Sequence, residues 1–281
     1  DPLWSRGLGD VYKRQELQVA ETMQQSMVFD YRSKPPRSVV IADHYEPVLR
    51  VGGDWFSIIE SERDDSVFVI MGDVTGHGLA QGLITTAMAG AMTLIESWIR
   101  DQTQATAISP AAVITHLNSV MQKLLGTSTM RMTCVAAQIN YRQGWLKVCN
   151  AGHTFPLVLR QSAVSDSKVE ALARQQQRML GASPVEAALN HQYTDAQYAI
   201  TEGDLLVFYT DGLTEARGKD GRSFHRPFQR HVSKINTVRT ATDLRDEILA
   251  QFRTHTLDVP VQDDICLIVI GKRPTSAKQV A

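Results

Sequence analysis

Two long helical patterns stand next to each other in this chain of 281 residues, with short strand-like runs on both sides of them. In the first, residues 79–99, Ala80, Ile84, Ala87, Ala91, Ile95 and Trp98 recur at helical spacing, and Leu83, Met88 and Met92 widen the stripe. Its many small residues suit a helix lying close against a sheet. The second opens at Ser109-Pro110, with serine as N-cap and proline in the first turn, and continues through Val113, Leu117, Val120 or Met121, and Leu124. Extended patterns precede the pair at 39–45, 49–60 and 66–71, and others follow it at 132–140, 144–150, 154–160, 191–200 and 204–210. A third helix is expected within 238–252, where Thr240 and Asp243 have capping-box spacing and Leu244, Ile248 and Phe252 form the apolar side. A last strand closes the pattern at 264–270. This order lacks the regular strand–helix alternation of a parallel sheet. It suits two antiparallel sheets carrying helices on their outer faces, an α+β architecture.

Outside that frame, Leu17, Ala20, Met23 and Met27 give residues 16–28 a helical pattern leading into the domain. The polar stretch 161–178 reads as a flexible or partly helical insertion, and residues 1–15 match no periodic template. The chain starts with Asp rather than Met, which fits a piece of a longer protein with a partner domain or membrane segment upstream. A formal net charge of -1 argues against a nucleic-acid-binding or anionic-membrane surface. Cys134, Cys149 and Cys266 all lie in apolar runs without metal-ligand spacing and read as reduced core residues. Neither a membrane-spanning apolar run nor a signal peptide is read in the chain, so a cytoplasmic compartment is expected.

Acidic residues punctuate the strands. Asp54, Asp73, Asp211 and the pair Asp263-Asp264 each sit at the end of an apolar, strand-like segment. Were these ends to converge on one rim, the carboxylates would repel one another and raise each other's pKa unless a cation joined them. An all-oxygen set suits Mg²⁺ or Mn²⁺. Two such ions about 3.5–4 Å apart activate water and neutralise phosphoryl oxygens. The residues alone leave a second reading open, since acids beside glycine are also ordinary turn formers. No GxxxxGK[ST] loop, GxGxxG or HExxH motif is present. Gly52-Gly53, just before Asp54, would permit a bulge or a close backbone approach.

Five stretches occur in order: "ADHYEPVLRVGGDWF", "IMGDVTGHGLAQGLIT", "CNAGHTFPLVL", "GDLLVFYTDGLTEAR" and "QDDICLIVI". Together they resemble the SpoIIE/RsbU-like branch of the PP2C (PPM) superfamily of metal-dependent serine phosphatases. The resemblance implies a PP2C-like four-layer αββα sandwich, with two central, mostly antiparallel sheets flanked by helices and two Mn²⁺ or Mg²⁺ ions at one rim. It divides the chain into an N-terminal fragment with a linker helix (1–38), a phosphatase domain (39–271) and a polar tail (272–281). It also implies that Asp73 is the bridging metal ligand and that the backbone carbonyl of Val74 contacts a metal. Asp211 and one of Asp263 and Asp264 would complete the cluster, with Asp263 preferred because it takes the first place of the "DD" or "DN" step. Asp54 would hold metal-associated water and assist proton transfer, so the expected catalytic residues are Asp54, Asp73 and Asp211.

Around this set, Gly72 and Gly76 are expected to turn the backbone tightly about the metal, with Gly78 starting the helix. His77 reads as a site-orienting residue or acid, or as a structural corner residue. His153, with Asn150 and Gly152, reads as a turn supporting the sheet rim. Glu215 and Arg217 read as substrate-facing or simply solvated. Ser57 stands where the family often has an acid, and Cys266 where it often has Ser or Thr.

The implied reaction is hydrolysis of a phosphoserine or phosphothreonine monoester by metal-activated water, without a covalent phosphoenzyme. The implied substrate is a small phosphorylated regulator of the anti-anti-sigma (STAS) type. The helix at 16–28 would link an upstream sensor to the domain and offers a route to a homodimer. The competing expectation is a non-catalytic PP2C-like domain that only binds its partner.

Overall fold

The computed structural model describes residues 22, 32, 34–48, 52–61, 63–76, 78–100, 108–125, 129–160, 168–175, 177–181, 192–235, 240–257 and 259–274. Except for Thr22, the helix expected at 16–28 lies outside these residues, as does His77. Among the described residues, ten strands build two five-stranded sheets in which every strand pairing is antiparallel. The strands are β1 (Val39–Glu46), β2 (Asp54–Glu60), β3 (Val67–Val74), β4 (Met132–Asn140), β5 (Trp145–Ala151), β6 (Leu157–Arg160), β7 (Lys168–Ala171), β8 (Ala196–Ala199), β9 (Leu205–Tyr209) and β10 (Ile265–Lys272). One sheet runs β1-β10-β9-β6-β7 and the other β2-β3-β4-β5-β8.

Five helices among the described residues cover them: α1 (Leu79–Arg100), α2 (Pro110–Leu125), α3 (Asp211–Glu215), α4 (His225–Val232) and α5 (Ala241–Thr256). α1 packs on β2, and α2 on β4 and β5; α5 packs on β1 and β10 of the other sheet. The side-chain alternation of a strand divides β10 between two cores. Cys266, Ile268 and Ile270 join the core shared with β2–β5, while Leu267 and Val269 face α4 and α5 with Phe228, Leu244, Ile248 and Phe252. The expected α+β sandwich of two antiparallel sheets with flanking helices is the observed fold.

The helices depart from their sequence patterns in instructive ways. The buried face of α1 runs through Gln81, Thr85, Met88, Met92, Ile95 and Ile99, while Leu83 and Trp98 of the expected stripe are 63% and 38% exposed. Two polar residues take core positions because their side chains bond the backbone beneath them, so hydrophobicity alone misplaced the face. In α2, Met121 and Leu125 are buried and Leu124 is 47% exposed. α3 and α4 are additional helices that no apolar period announced. Residues 168–171, within the stretch expected to be flexible or partly helical, form a strand instead, paired residue for residue with β6. Ala80–Arg100 of α1 is, by length and mean composition, apolar enough to cross a membrane, although Gln81, Thr85, Thr86 and Glu96 interrupt its apolar run. The residues it buries belong to the core of the fold. All three cysteines are buried and free, as expected.

Candidate metal centre

Antiparallel register brings the first two carboxylates together. Asp54, the first residue of β2, is the cross-strand partner of Asp73 near the end of β3, so both side chains leave the same face of the sheet. One step along, Trp55 pairs with Gly72, and its indole lies on that glycine: a Cβ there would stand 2.6 Å from Nε1. Trp55 Nε1–H donates to Met132 Sδ at 3.4 Å. Gly72 therefore makes room for a ring inside β3 rather than turning the chain, which corrects its expected role. The turn comes later, at Gly76, whose φ of 104° lies in the left-handed region.

The other sheet contributes the remaining acids. Thr210 extends the β9–β10 pairing by one residue. Its N–H donates to Cys266 O at 3.0 Å, and its hydroxyl accepts from Cys266 N–H, also at 3.0 Å. Asp211 follows as the first residue of α3. Gly212 then presses against the Asp263-Asp264 backbone so closely that a Cβ would lie 2.0 Å from the Asp264 carbonyl oxygen.

Asp264 straps the two sheets. Its Oδ1 accepts from Val48 N–H at 2.8 Å, after β1, and its Oδ2 accepts from Gly53 N–H at 2.6 Å, before β2. Gly52 is bare where that carboxylate arrives; a Cβ would meet Oδ2 at 2.4 Å. This is the close backbone approach that the glycine pair suggested. Asp263 is exposed, and its Oδ1 accepts only the local Asp264 N–H at 2.9 Å. Of the two neighbours, then, Asp264 has both oxygens engaged by backbone donors, and Asp263 faces the field of Asp73 and Asp211.

Polar residues of α1 support the strand ends from behind. Gln81 Nε2 donates to the Val74 carbonyl at 2.7 Å, and Thr85 Oγ1 donates to the Gly53 carbonyl at 3.2 Å. The Val74 carbonyl keeps a second lone pair. Tyr45 reaches the same place, its hydroxyl donating to the Asp54 carbonyl at 3.3 Å. Sequence reading missed all three; the one available signal was the i, i+4 pair Gln81 and Thr85 at the start of an otherwise apolar helix. His153 sits deeper. Its Nδ1 is 2.8 Å from Thr133 Oγ1, and Thr133 is the register partner of Asp73 on β4. The Asn150 side chain accepts from His153 N–H at 2.8 Å and donates to the His153 carbonyl at 3.1 Å, across a turn with Gly152 at φ 76°. Burial lowers the His153 pKa to about 4, so the ring is neutral and props the rim.

The electrostatics are one-sided. Burial, then the charge of Asp73, pushes the Asp54 carboxyl well above the usual range, and a Thr210 hydrogen bond offsets only part of this. Burial, followed by Asp211, Asp263 and Asp264, raises Asp73 to about 7. Asp211 is raised too, chiefly by burial, and Asp263, whose residue is largely solvent-exposed, is raised by partial desolvation at the rim and by the charges of Asp211 and Asp264. The charges acting on Asp54 and Asp73 are, among the described residues, all carboxylates. Among the described residues no three His, Cys, Asp or Glu side chains already close around a single point as a ready cage. The donor set nevertheless fits a hard divalent cation: it is anionic and oxygen-only, and Asp54 Oδ2 is buried with no hydrogen-bond partner among the described residues.

The family model described as "Stage II sporulation protein E (SpoIIE)" matches residues 63–273. The chain belongs to the SpoIIE family. Among its relatives, phosphoserine phosphatase RsbU of Bacillus subtilis is 23% identical over 264 residues, covering 92% of this chain and 71% of RsbU. The SiaA-PP2C domain of Pseudomonas aeruginosa shares the fold with a TM-score of 0.73 at 19% identity, covering 97% of this chain and 99% of that domain. The catalytic domain of the serine/threonine protein phosphatase PstP, solved in complex with two manganese ions, aligns with a TM-score of 0.54 at 11% identity, over 84% of this chain and 99% of that one. The fold is therefore that of PP2C phosphatase domains.

Proposed function

We propose that this SpoIIE-family domain is a Mn²⁺- or Mg²⁺-dependent protein phosphatase that hydrolyses phosphoserine or phosphothreonine on a small regulatory protein of the anti-anti-sigma type. The observation that carries the reading is the in-register pair of buried Asp54 and half-buried Asp73, joined by Asp211 and Asp263, with no cationic side chain among the described residues acting on the pair. Likeness to RsbU, a phosphoserine phosphatase, supports phosphoserine as the group hydrolysed, and the manganese-bound PstP domain supports the metal.

Asp73, Asp211 and Asp263 would hold the ions, with the Val74 carbonyl beside them. Asp264 is assigned to strapping β1 and β2 to β10, through the N–H groups of Val48 and Gly53 that its two oxygens accept. When bound, the ions supply Lewis-acid neutralisation of the phosphoryl oxygens and a water acidified toward neutral pH. Asp54, buried and with Oδ2 unpaired among the described residues, would orient a water at the rim and accept a proton from it. Gln81 and Thr85 hold the Val74 and Gly53 peptides, and Thr210 fixes Asp211 against β10, so the acids sit on rigid strand ends. The domain is proposed to work in the cytoplasm.

The test is phosphate release from a phosphoserine peptide and from an aryl phosphate, with chelator and with Mn²⁺. Metal-dependent turnover of both supports the reading. A folded protein that neither binds Mn²⁺ nor turns over either compound would contradict it and favour a non-catalytic, partner-binding domain.

A further inference from the structure

Beside the acidic rim lies a surface of the opposite sign. A groove of about 1150 Å³ opens between α4, the 217–223 loop and the end of α5. Its lining includes Arg217, Arg222, Arg226, Arg230 and Lys234, against which stand the acids Glu215 and Asp220. In a chain whose formal net charge is -1, this is a marked local excess of positive charge. Arg226, Arg230 and Lys234 follow at steps of four and so stack like charges along one face of α4 and its continuation, an arrangement that costs helix stability. Among the described residues none of these three has an acidic partner; the nearby ion pairs are Arg222–Asp220 at 3.7 Å and His231–Glu247 at 3.4 Å. The opposite face of α4 is satisfied: Phe228 and Val232 are buried in the helix-side core. The fold thus anchors α4 by its apolar side and holds an uncompensated cationic stripe on the other.

Position gives the groove its meaning. Thr214 and Glu215 belong to both its lining and α3, the short helix that begins with Asp211. Thr214 Oγ1 donates to the Asp211 carbonyl at 3.2 Å. At a rise of about 1.5 Å per residue, the groove starts roughly 4.5 Å along the helix axis from a candidate metal ligand. A phosphoserine presented to the acidic rim would carry its neighbouring residues across these cations.

We propose that this groove binds acidic residues flanking the phosphoserine, making the enzyme selective for acidic stretches on its phosphoprotein substrate. The proposal rests on the phosphatase reading above and adds the substrate's flanking charge. Its concave shape and its place next to the catalytic rim favour a peptide segment over a lipid surface, which would require a flat or protruding basic face. Electrostatic complementarity of this kind raises association rate and specificity and weakens with salt.

The experiment compares kcat/KM, with Mn²⁺, for two phosphoserine peptides that differ only in flanking residues, one Asp/Glu-rich and one Ser/Gly-rich. An aryl phosphate is run in parallel. The native chain should prefer the acidic peptide by about tenfold at low salt, through KM, and the preference should fall as salt rises. In Arg226→Glu/Arg230→Glu the ratio should collapse to about one or invert. Lys234→Glu alone should give a smaller change in the same direction, which guards against a folding defect in the double variant. Equal use of both peptides by the native chain, or a preference that survives in the double variant, overturns the groove proposal while leaving the phosphatase reading intact. Charge-dependent binding to phosphatidylserine vesicles with no peptide preference would also overturn it, in favour of a membrane contact. Failure to hydrolyse all three compounds, aryl phosphate included, would instead sink the phosphatase reading on which it rests.

Discussion

Replacing Asp73 with asparagine should make the metal-free protein more stable while removing its response to metal. Asp73 faces Asp54 across the β2–β3 register, and burial plus neighbouring carboxylates raises its pKa from 3.8 to about 7. Because the folded pKa lies above the unfolded one, the native state binds more protons between these values. Its stability therefore falls as pH rises from about 4 to about 7. The shift corresponds to about 4 kcal/mol of destabilisation once the pH exceeds both values. An asparagine side chain keeps the shape and cannot ionise, so the variant escapes this cost and also relieves Asp54. Urea denaturation in chelator should show Asp73→Asn more stable than the native chain by up to about 4 kcal/mol at pH 8, with the gap closing toward pH 4. Adding Mn²⁺ should stabilise the native chain and leave the variant unmoved. An Asp73→Asn protein less stable than native in chelator at pH 8, or a gap that ignores pH, would refute the crowded-carboxylate argument.

Other expectations follow from the same geometry. Asp264→Asn replaces an oxygen that accepts from Val48 or Gly53 N–H and should cost about 1–3 kcal/mol of stability. Asp263→Asn should leave stability nearly unchanged and weaken Mn²⁺ binding; denaturation and calorimetry on the two variants separate strap from ligand. Gly212→Ala drives a methyl into the Asp264 carbonyl and should cost about 3 kcal/mol, with Mn²⁺ affinity falling in parallel on calorimetric titration. His153 acts in the opposite sense to Asp73. Its folded pKa of about 4 lies below the ordinary 6.5, so the fold loses up to about 3 kcal/mol of stability as pH drops through that window. In His153→Gln that contribution is absent, so the native chain's advantage over the variant should shrink by this amount between pH 7 and pH 4; an unchanging difference would speak against a buried neutral ring.

Particular residues show how far the chain could be read without coordinates. Leu244, Ile248 and Phe252 form a clean helical stripe and are buried, because nothing polar interrupts the face of α5. The acids at strand ends were visible because a carboxylate closing an apolar run breaks the pattern. Their convergence required the register, which pairs Asp54 with Asp73, and a contact between sheets, which sets Asp264 against Gly53. The division of labour between Asp263 and Asp264 was invisible: the side chains are identical, and the donors that distinguish them lie more than 200 residues away in sequence. The face of α1 was misread for a related reason, since Gln81 and Thr85 are buried by hydrogen bonds to backbone that only the fold brings near. β7 carries too short an apolar pattern to announce itself and exists as an edge strand through pairing with β6. α4 was missed because its apolar side is only Phe228 and Val232, outnumbered by the cations on its other face.

The central claim is that the acidic rim, loaded with metal, hydrolyses phosphoserine. Its most direct test measures phosphate release from a phosphoserine peptide by the native chain and by Asp211→Asn, each with Mn²⁺ and with chelator, alongside calorimetric Mn²⁺ titration of both proteins. The account predicts turnover by the native chain only with Mn²⁺, and a folded Asp211→Asn protein with weakened Mn²⁺ binding and turnover reduced by at least about a hundredfold. Equal turnover by both proteins, or turnover that persists in chelator, would contradict it.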